Sequence, residues 1–147
     1  MVWSHKEAIA FMICKSDYQC FDRARRAALL SDYVKAQTGC VAVYKNRVIG
    51  VGFNCNKTHP TQKYYNMYRE PSDSMPPKLH AEISCLNQIR HLSVSPHKVK
   101  IYIYRIRKDR PHGMARPCPS CMAALRDFGV RDIYYTTNDG CCYERID

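Results

Sequence analysis

Residues 80–137 switch repeatedly between helical and strand periodicity, and this constrains the fold more than any other feature of the chain. "HAEISCLNQIRHL" (80–92) places Ile83, Leu86 and Ile89 every three residues, the spacing of one helix face. "KVKIYIYRIR" (98–107) alternates and predicts a strand. "PSCMAALRDFG" (119–129) predicts a helix ended by Gly129, and "RDIYYTT" (131–137) predicts another strand. Helix, strand, helix, strand implies parallel strands joined by a crossover helix and covered on both faces, an α/β arrangement.

Upstream, "FDRARRAALLSDYVKAQ" (21–37) carries Ala24, Ala27, Leu30 and Val34 at helical spacing, with Arg23, Arg25 and Arg26 on the other face. "GCVAVYKNRVIGVGFN" (39–54) has two β-rich runs around Lys45-Asn46-Arg47, a hairpin signal. Residues 55–79 read as an irregular polar stretch. There is no repeat, low-complexity tract or linker, and 147 residues suit one domain spanning 1–147.

Hydrophobic residues make up 46% of the chain, enough for a buried core and too many for disorder. No apolar run approaches the roughly 20 residues that span a bilayer, so no membrane association is expected. The short run "AIAFMIC" (8–14) follows His5, Lys6 and Glu7 without a small-residue cleavage site. It reads as a helix face and not as a signal peptide, and a cytoplasmic location is expected. Nine cysteines is a high and odd number, which favours reduced thiols, some of them metal ligands, over a disulfide framework. Cys14, Cys20, Cys40 and Cys85 lie among apolar residues and read as small core residues. The net charge of +10 favours a polyanionic or phosphate-bearing partner, with a merely solvated basic surface as the alternative.

Two short motifs carry chemistry, each at a helix start: His80-Ala81-Glu82, and Pro117-Cys118-Pro119-Ser120-Cys121. Cys118 and Cys121 are three apart, so in a first helical turn both thiols face one point. The helix N-terminus favours thiolate, and Pro119 costs nothing there because first-turn N–H groups lack helical partners. Two thiolates and one imidazole make three zinc ligands, which leaves a fourth position for water, the arrangement of a catalytic site. Glu82, two residues beyond His80, is placed to face that water and shuttle protons. The competing readings are a structural zinc site completed by Cys141 and Cys142, a redox pair, and an ordinary solvent-facing first-turn Glu82. Cys141 and Cys142 are adjacent and lack the spacing of a zinc ribbon.

H-x-E followed by P-C-x-x-C resembles the signature of zinc-dependent nucleobase deaminases. The resemblance covers roughly residues 21–137 and is to the histidine-type branch, which includes deoxycytidylate deaminases and tRNA adenosine deaminases. It implies a three-layer α/β/α cytidine-deaminase-like sandwich with a mixed sheet of about five strands. It also implies one Zn²⁺ held by His80, Cys118 and Cys121 with water as fourth ligand, and Glu82 as general acid/base. The implied reaction is hydrolytic attack at C4 of cytosine or C6 of adenine, with loss of ammonia. Asn54 would contact the sugar, the Ala81 backbone the base, and the Pro117 backbone would lie near the leaving amino group.

Two stretches bear on the substrate. "RIRKDRPHGMAR" (105–116) holds Arg105, Arg107, Lys108, Arg110 and Arg116 against one acid, Asp109. Arg116, adjacent to the cysteine motif, is the best single candidate for a phosphate contact, and it departs from the residues expected in tRNA-specific enzymes. In 55–79, Lys57, His59, Lys63, Tyr64, Tyr65, Tyr68 and Arg69 interleave basic and aromatic residues, suited to nucleotides or single strands, or to packing the loop on the core. Cys55 and His59 could start a second zinc site, but no complete ligand set is visible. The closing "NDGCCYERID" looks too short for the final strand and helix of many relatives, leaving a more open site or one completed by a partner subunit in a homo-oligomer. The leading expectation is an enzyme acting on a cytosine nucleotide of the dCMP or CMP type. A polynucleotide deaminase acting on single-stranded DNA or RNA, and a catalytically silent zinc or nucleic-acid-binding module, are the alternatives.

Overall fold

The computed structural model describes residues 13–69 and 78–146. Five strands form one sheet: β1 (Thr38–Tyr44), β2 (Arg47–Phe53), β3 (Lys100–Arg105), β4 (Asp132–Thr136) and β5 (Cys141–Arg145). Their order is β2-β1-β3-β4-β5, with β3 and β4 parallel and the other neighbours antiparallel. The α-helices among the described residues are α1 (Lys15–Ala28), α2 (Pro60–Tyr65), α3 (Ala81–Ile89) and α4 (Pro119–Phe128). The β3–β4 pair is parallel because α4 carries the chain back between them.

Successive strand residues point to opposite faces, and here both faces are covered. On one face, Phe21 and Ala24 of α1 pack against Val41, Val43, Tyr102 and Tyr134. On the other, Ile83, Leu86 and Leu125 of α3 and α4 pack against Cys40, Ile101 and Ile133. Central strands β1 and β3 are therefore apolar along most of their length. The expected three-layer sandwich with a mixed five-stranded sheet is present. The β1–β2 turn matches its hairpin signal, with Lys45 and Asn46 at φ 50° and 64°.

Several expectations change. The helix predicted over 21–37 spans Lys15–Ala28, and Leu30 and Val34 are 64% and 67% exposed. Ser31 Oγ accepts from the Tyr33 N–H at 3.1 Å and Asp32 Oδ1 from the Asn56 N–H at 2.9 Å, side-chain bonds that compete with helix continuation. The stretch 55–79 contains α2, started by Pro60 at its first position and by His59 Nδ1 accepting from the Thr61 N–H at 3.1 Å. A short 3₁₀ turn, Asn66–Tyr68, follows it. The closing residues do form the final strand, β5, and no helix follows it among the described residues. Its reversal is closed by the Thr137 N–H donating to Gly140 O at 2.7 Å and the Gly140 N–H to Thr137 Oγ1 at 3.0 Å. Cys40 and Cys85 are core residues as expected, but Cys20 is half-buried and Cys14 is exposed at the start of α1. Residues 8–12 of the apolar N-terminal run lie outside the described residues. No helix among the described residues is long and apolar enough to cross a membrane.

Close backbone packing aims α3. A Cβ on Gly52 of β2 would lie 2.4 Å from both Ala81 O and Cys85 N, so glycine lets the first turn of α3 rest directly on the strand.

Candidate functional site

His80 and Cys118 occupy equivalent places, each the residue that caps a helix: His80 caps α3 and Cys118 caps α4. Cys121 lies one turn into α4 and Glu82 in the first turn of α3. Local sequence accounts for this, because each motif sits where an extended segment with β-region dihedrals becomes helical. The helix starts meet in space. His80 Nδ1 is 3.5 Å from Cys118 Sγ and 3.3 Å from Cys121 Sγ. The ligand atoms of the three residues all lie within 4.8 Å of one another, and they form the one such His/Cys/Asp/Glu group among the described residues. Tetrahedral zinc with bonds of about 2.3 Å to sulfur and 2.0–2.1 Å to nitrogen needs S···N edges of about 3.6 Å. The observed spacings and the soft S₂N donor set fit that ion. Neither Cys141 and Cys142 nor Cys55 and His59 join the group.

The charges are arranged accordingly. Hydrogen bonding from Cys121, with His80 and the α4 backbone alongside, pulls the Cys118 thiol down to about 3 against the opposing effect of burial. Burial, reinforced by Cys118 and Glu82, pushes the Cys121 thiol up. Burial opposes charge on His80, but its contact with Cys118 and the nearby Glu82 outweigh this and raise its pKa. Glu82 is only 6% exposed, and burial lifts its carboxyl above the ordinary range although His80 acts the other way. A buried carboxyl with a raised pKa, beside three side chains able to hold a metal ion, is suited to proton transfer.

A cavity of about 220 Å³ opens onto these groups, and its lining includes Thr38, Asn54, Ala81, Arg105 and Arg116 as well as His80, Glu82 and Cys118. The structure thus brings Asn54, Ala81 and Arg116 to the ligands. Pro117 is buried and lines a neighbouring groove with Tyr68 and Arg116. The Asn54 side chain is partly used by the fold: Oδ1 accepts from the Thr38 N–H at 2.9 Å, and Nδ2 donates to Ala36 O at 2.8 Å. Arg116 is held by a fork of two 2.9 Å bonds to Glu144 of β5, which also accepts from Tyr135 OH at 2.9 Å. Its charge is therefore already paired.

Two residues with a structural role at the site are not legible from the motifs. The His80 N–H donates to Gln62 Oε1 at 3.0 Å, Gln62 Nε2 donates to Asn66 Oδ1 at 2.9 Å, and Ser120 Oγ donates to the same Asn66 oxygen at 3.1 Å. Gln62 is fully buried. This chain of bonds ties the start of α3 to the start of α4 through α2. The one available signal was Pro60 after His59, which marks a helix start in a stretch otherwise lacking periodicity.

Comparison with known proteins agrees with this geometry. Residues 14–137 match the family model "Cytidine and deoxycytidylate deaminase zinc-binding region". Among solved structures, the dCMP deaminase from the cyanophage S-TIM5 in apo form superposes with a TM-score of 0.60 at 19% identity, covering 86% of this chain and 86% of that one. The cytidine deaminase from Burkholderia pseudomallei gives 0.58 at 15% identity, covering 87% and 91%. That from Mycobacterium leprae gives 0.52 at 19% identity, covering 89% and 94%. At these identities the neighbours establish the fold. No curated protein sequence matches the chain significantly. The family match runs through both motifs and most of the sheet, and the chain belongs to the zinc-binding cytidine and deoxycytidylate deaminase family.

Proposed function

We propose that the protein is a zinc-dependent hydrolytic deaminase that converts a cytosine-bearing nucleotide of the dCMP type to its uracil form and releases ammonia. The observation that carries this reading is the buried Glu82 carboxyl sharing one small cavity with the His80 and Cys118 ligand atoms. His80, Cys118 and Cys121 would hold the zinc, whose Lewis acidity makes water nucleophilic at neutral pH. Glu82 takes one proton from the attacking water and gives it to the ring nitrogen, then carries the second, lost as the C4 hydroxyl becomes a carbonyl, to the exocyclic nitrogen. The water oxygen stays on C4, the C–N bond breaks, and the nitrogen leaves as ammonia. Asn54 keeps one N–H and one lone pair for a sugar hydroxyl beyond its two bonds to the fold. The Ala81 backbone borders the base position. A neighbour described as a dCMP deaminase in complex with dCMP and dUMP supports a pyrimidine nucleotide as substrate.

Basic side chains lie at both ends of the sheet. A groove of about 990 Å³ carries Arg23, Lys45, Arg47, Lys98 and Lys100, at the end of the sheet where Val43 pairs with Lys100. The cavity lies at the opposite end, where Thr38 pairs with Arg105. The test is ammonia release by zinc-loaded protein from dCMP, CMP, deoxycytidine, single-stranded DNA and adenosine-bearing tRNA. Turnover of dCMP is expected, and Glu82→Gln should lower kcat by about 10²–10⁴-fold. Activity confined to an oligonucleotide, or unaffected by Glu82→Gln, would overturn the reading.

A further inference from the structure

The five basic residues between the end of β3 and the start of α4 are not equivalent. Arg107 makes two 2.9 Å bonds to Asp109, and Arg110 lies 3.9 Å from the same carboxylate. Lys108 is exposed, and Arg116 is paired with Glu144. Arg105 differs from all of these. It lines the cavity together with His80, Glu82 and Asn54, and its Nε is buried with no hydrogen-bond partner. A buried donor without an acceptor is costly, and folded proteins rarely retain one without a use. A buried Nε–H left in this condition, in a cavity shared with His80 and Cys118, lacks an acceptor from the fold.

The surrounding structure holds Arg105 in place. Its backbone N–H donates to Thr136 Oγ1 at 3.2 Å, Thr136 Oγ1 donates to Gly113 O at 2.7 Å, and the Gly113 N–H donates back to Arg105 O at 2.8 Å. Gly113 leaves room for the neighbouring Arg107, since a Cβ there would sit 2.6 Å from Arg107 Cδ, and it borders Arg105 Cδ at contact distance, 3.4 Å. Arg105 pairs with Thr38 across β1 and β3, while the Asn54 N–H donates to Thr38 O from the β2 side. Asn54 and Arg105 therefore flank the end of β1, roughly 10 Å apart at two strand spacings. A ligand with its base at the metal ligands and its sugar toward Asn54 has its remaining substituent free to reach Arg105.

We propose that Arg105 is the anion subsite of this cavity and binds the phosphate monoester of the substrate nucleotide. The proposal rests on the nucleotide reading given above. A guanidinium fork suits phosphate because it donates two parallel charge-assisted bonds. The unpartnered Nε–H is one arm of that fork.

The experiment uses the full chain loaded with zinc. Isothermal titration compares dUMP with deoxyuridine, and steady-state kinetics compares dCMP with deoxycytidine, in wild type, Arg105→Gln, Arg105→Lys and Arg107→Gln. Wild type should prefer the monophosphate in both assays. Arg105→Gln should shrink that preference about ten- to hundredfold, through Kd and KM more than kcat and at unchanged zinc content. Arg105→Lys should retain part of the preference and serves if the Gln variant fails to fold. Arg107→Gln, at an exposed pair, should behave as wild type. A preference that survives both Arg105 substitutions, or is absent from wild type, overturns the proposal. A short oligonucleotide containing deoxyuridine separates the sources of phosphate: if Arg105→Gln weakens its binding but not that of dUMP, the monoester assignment falls. If dUMP binding depends on Arg105 but no cytosine compound yields ammonia, the subsite stands and the deaminase reading fails.

Discussion

Gln62 offers no ligand atom, yet it accepts the backbone N–H of the residue that supplies the imidazole. Gln62→Leu keeps much of the volume and removes both side-chain bonds, leaving the part-buried His80 N–H without its partner and the Asn66 Oδ1 with Ser120 Oγ. Outer partners of this kind orient ligands, so zinc affinity should fall about 10–100-fold, read by competition with a chromogenic chelator. Arg116 and Glu144 make a different kind of prediction. The Arg116 fork holds the Glu144 carboxyl below the ordinary range, with Tyr135 assisting and burial opposing. A lowered folded pKa adds stability above the unfolded value, about 4.3, and that stability disappears as pH falls through the folded value. Glu144→Gln should therefore cost about 1 kcal/mol at pH 7, since the Arg116 side chain is half-exposed, and progressively less at an acid pH below the ordinary carboxylate range. Urea melts at the two pH values check this; an equal loss at both would show that the pair is not the cause.

At the scale of elements, the position of α3 is decided by a glycine on a strand. Gly52→Ala places a methyl group 2.4 Å from backbone atoms at Ala81 and Cys85, and backbone cannot rotate away as a side chain can. The helix start must shift, at a cost of about 1–3 kcal/mol, and zinc affinity should drop together with the melting temperature. Gly140→Ala is the control, because nothing lies within 4 Å of a Cβ there, and it should stay within about 0.5 kcal/mol of wild type. Loss of stability in Gly52→Ala without loss of zinc affinity would show that α3 adjusts without moving His80. The elements also show which local signals carry weight. The hairpin at Lys45-Asn46, the β3 alternation and the Gly129 stop, where φ is 105°, appear where the sequence puts them. The run ending at Val34 misleads because helical spacing of apolar residues does not reveal the side-chain bonds of Ser31 and Asp32 that replace the helix. β5 is hidden for a related reason: "CCYER" has little strand pattern of its own and is ordered by pairing with β4.

For the whole molecule, the two faces of the sheet divide the work. The α1 face is bound by Tyr102, stacked on Tyr134 at 4.4 Å, edge-on to Phe21 and hydrogen-bonded to the buried Asp17. The other face carries α3 and α4, whose starts hold the His80, Cys118 and Cys121 group, so zinc held there would cross-link two helices of one layer. Binding to the folded state alone raises stability by mass action. Removing zinc with a chelator should lower the melting temperature, zinc should restore it, and His80→Ala should make it insensitive to chelator. A melting temperature that ignores the chelator in wild type would mean the three ligands do not hold zinc. The sequence by itself set Cys118 against Cys121 and His80 against Glu82, because a first helical turn fixes the relation of residues two or three apart wherever the helix lies; that the two pairs meet is tertiary. It likewise determined the α/β class, through periodicity alone. Only the tertiary structure decided that Gln62 anchors His80, that Arg116 is occupied by Glu144, and that Arg105 lines the cavity with its Nε unpartnered. Those facts depend on strand register and on contacts between residues 18, 28 and 31 positions apart, which no local pattern encodes.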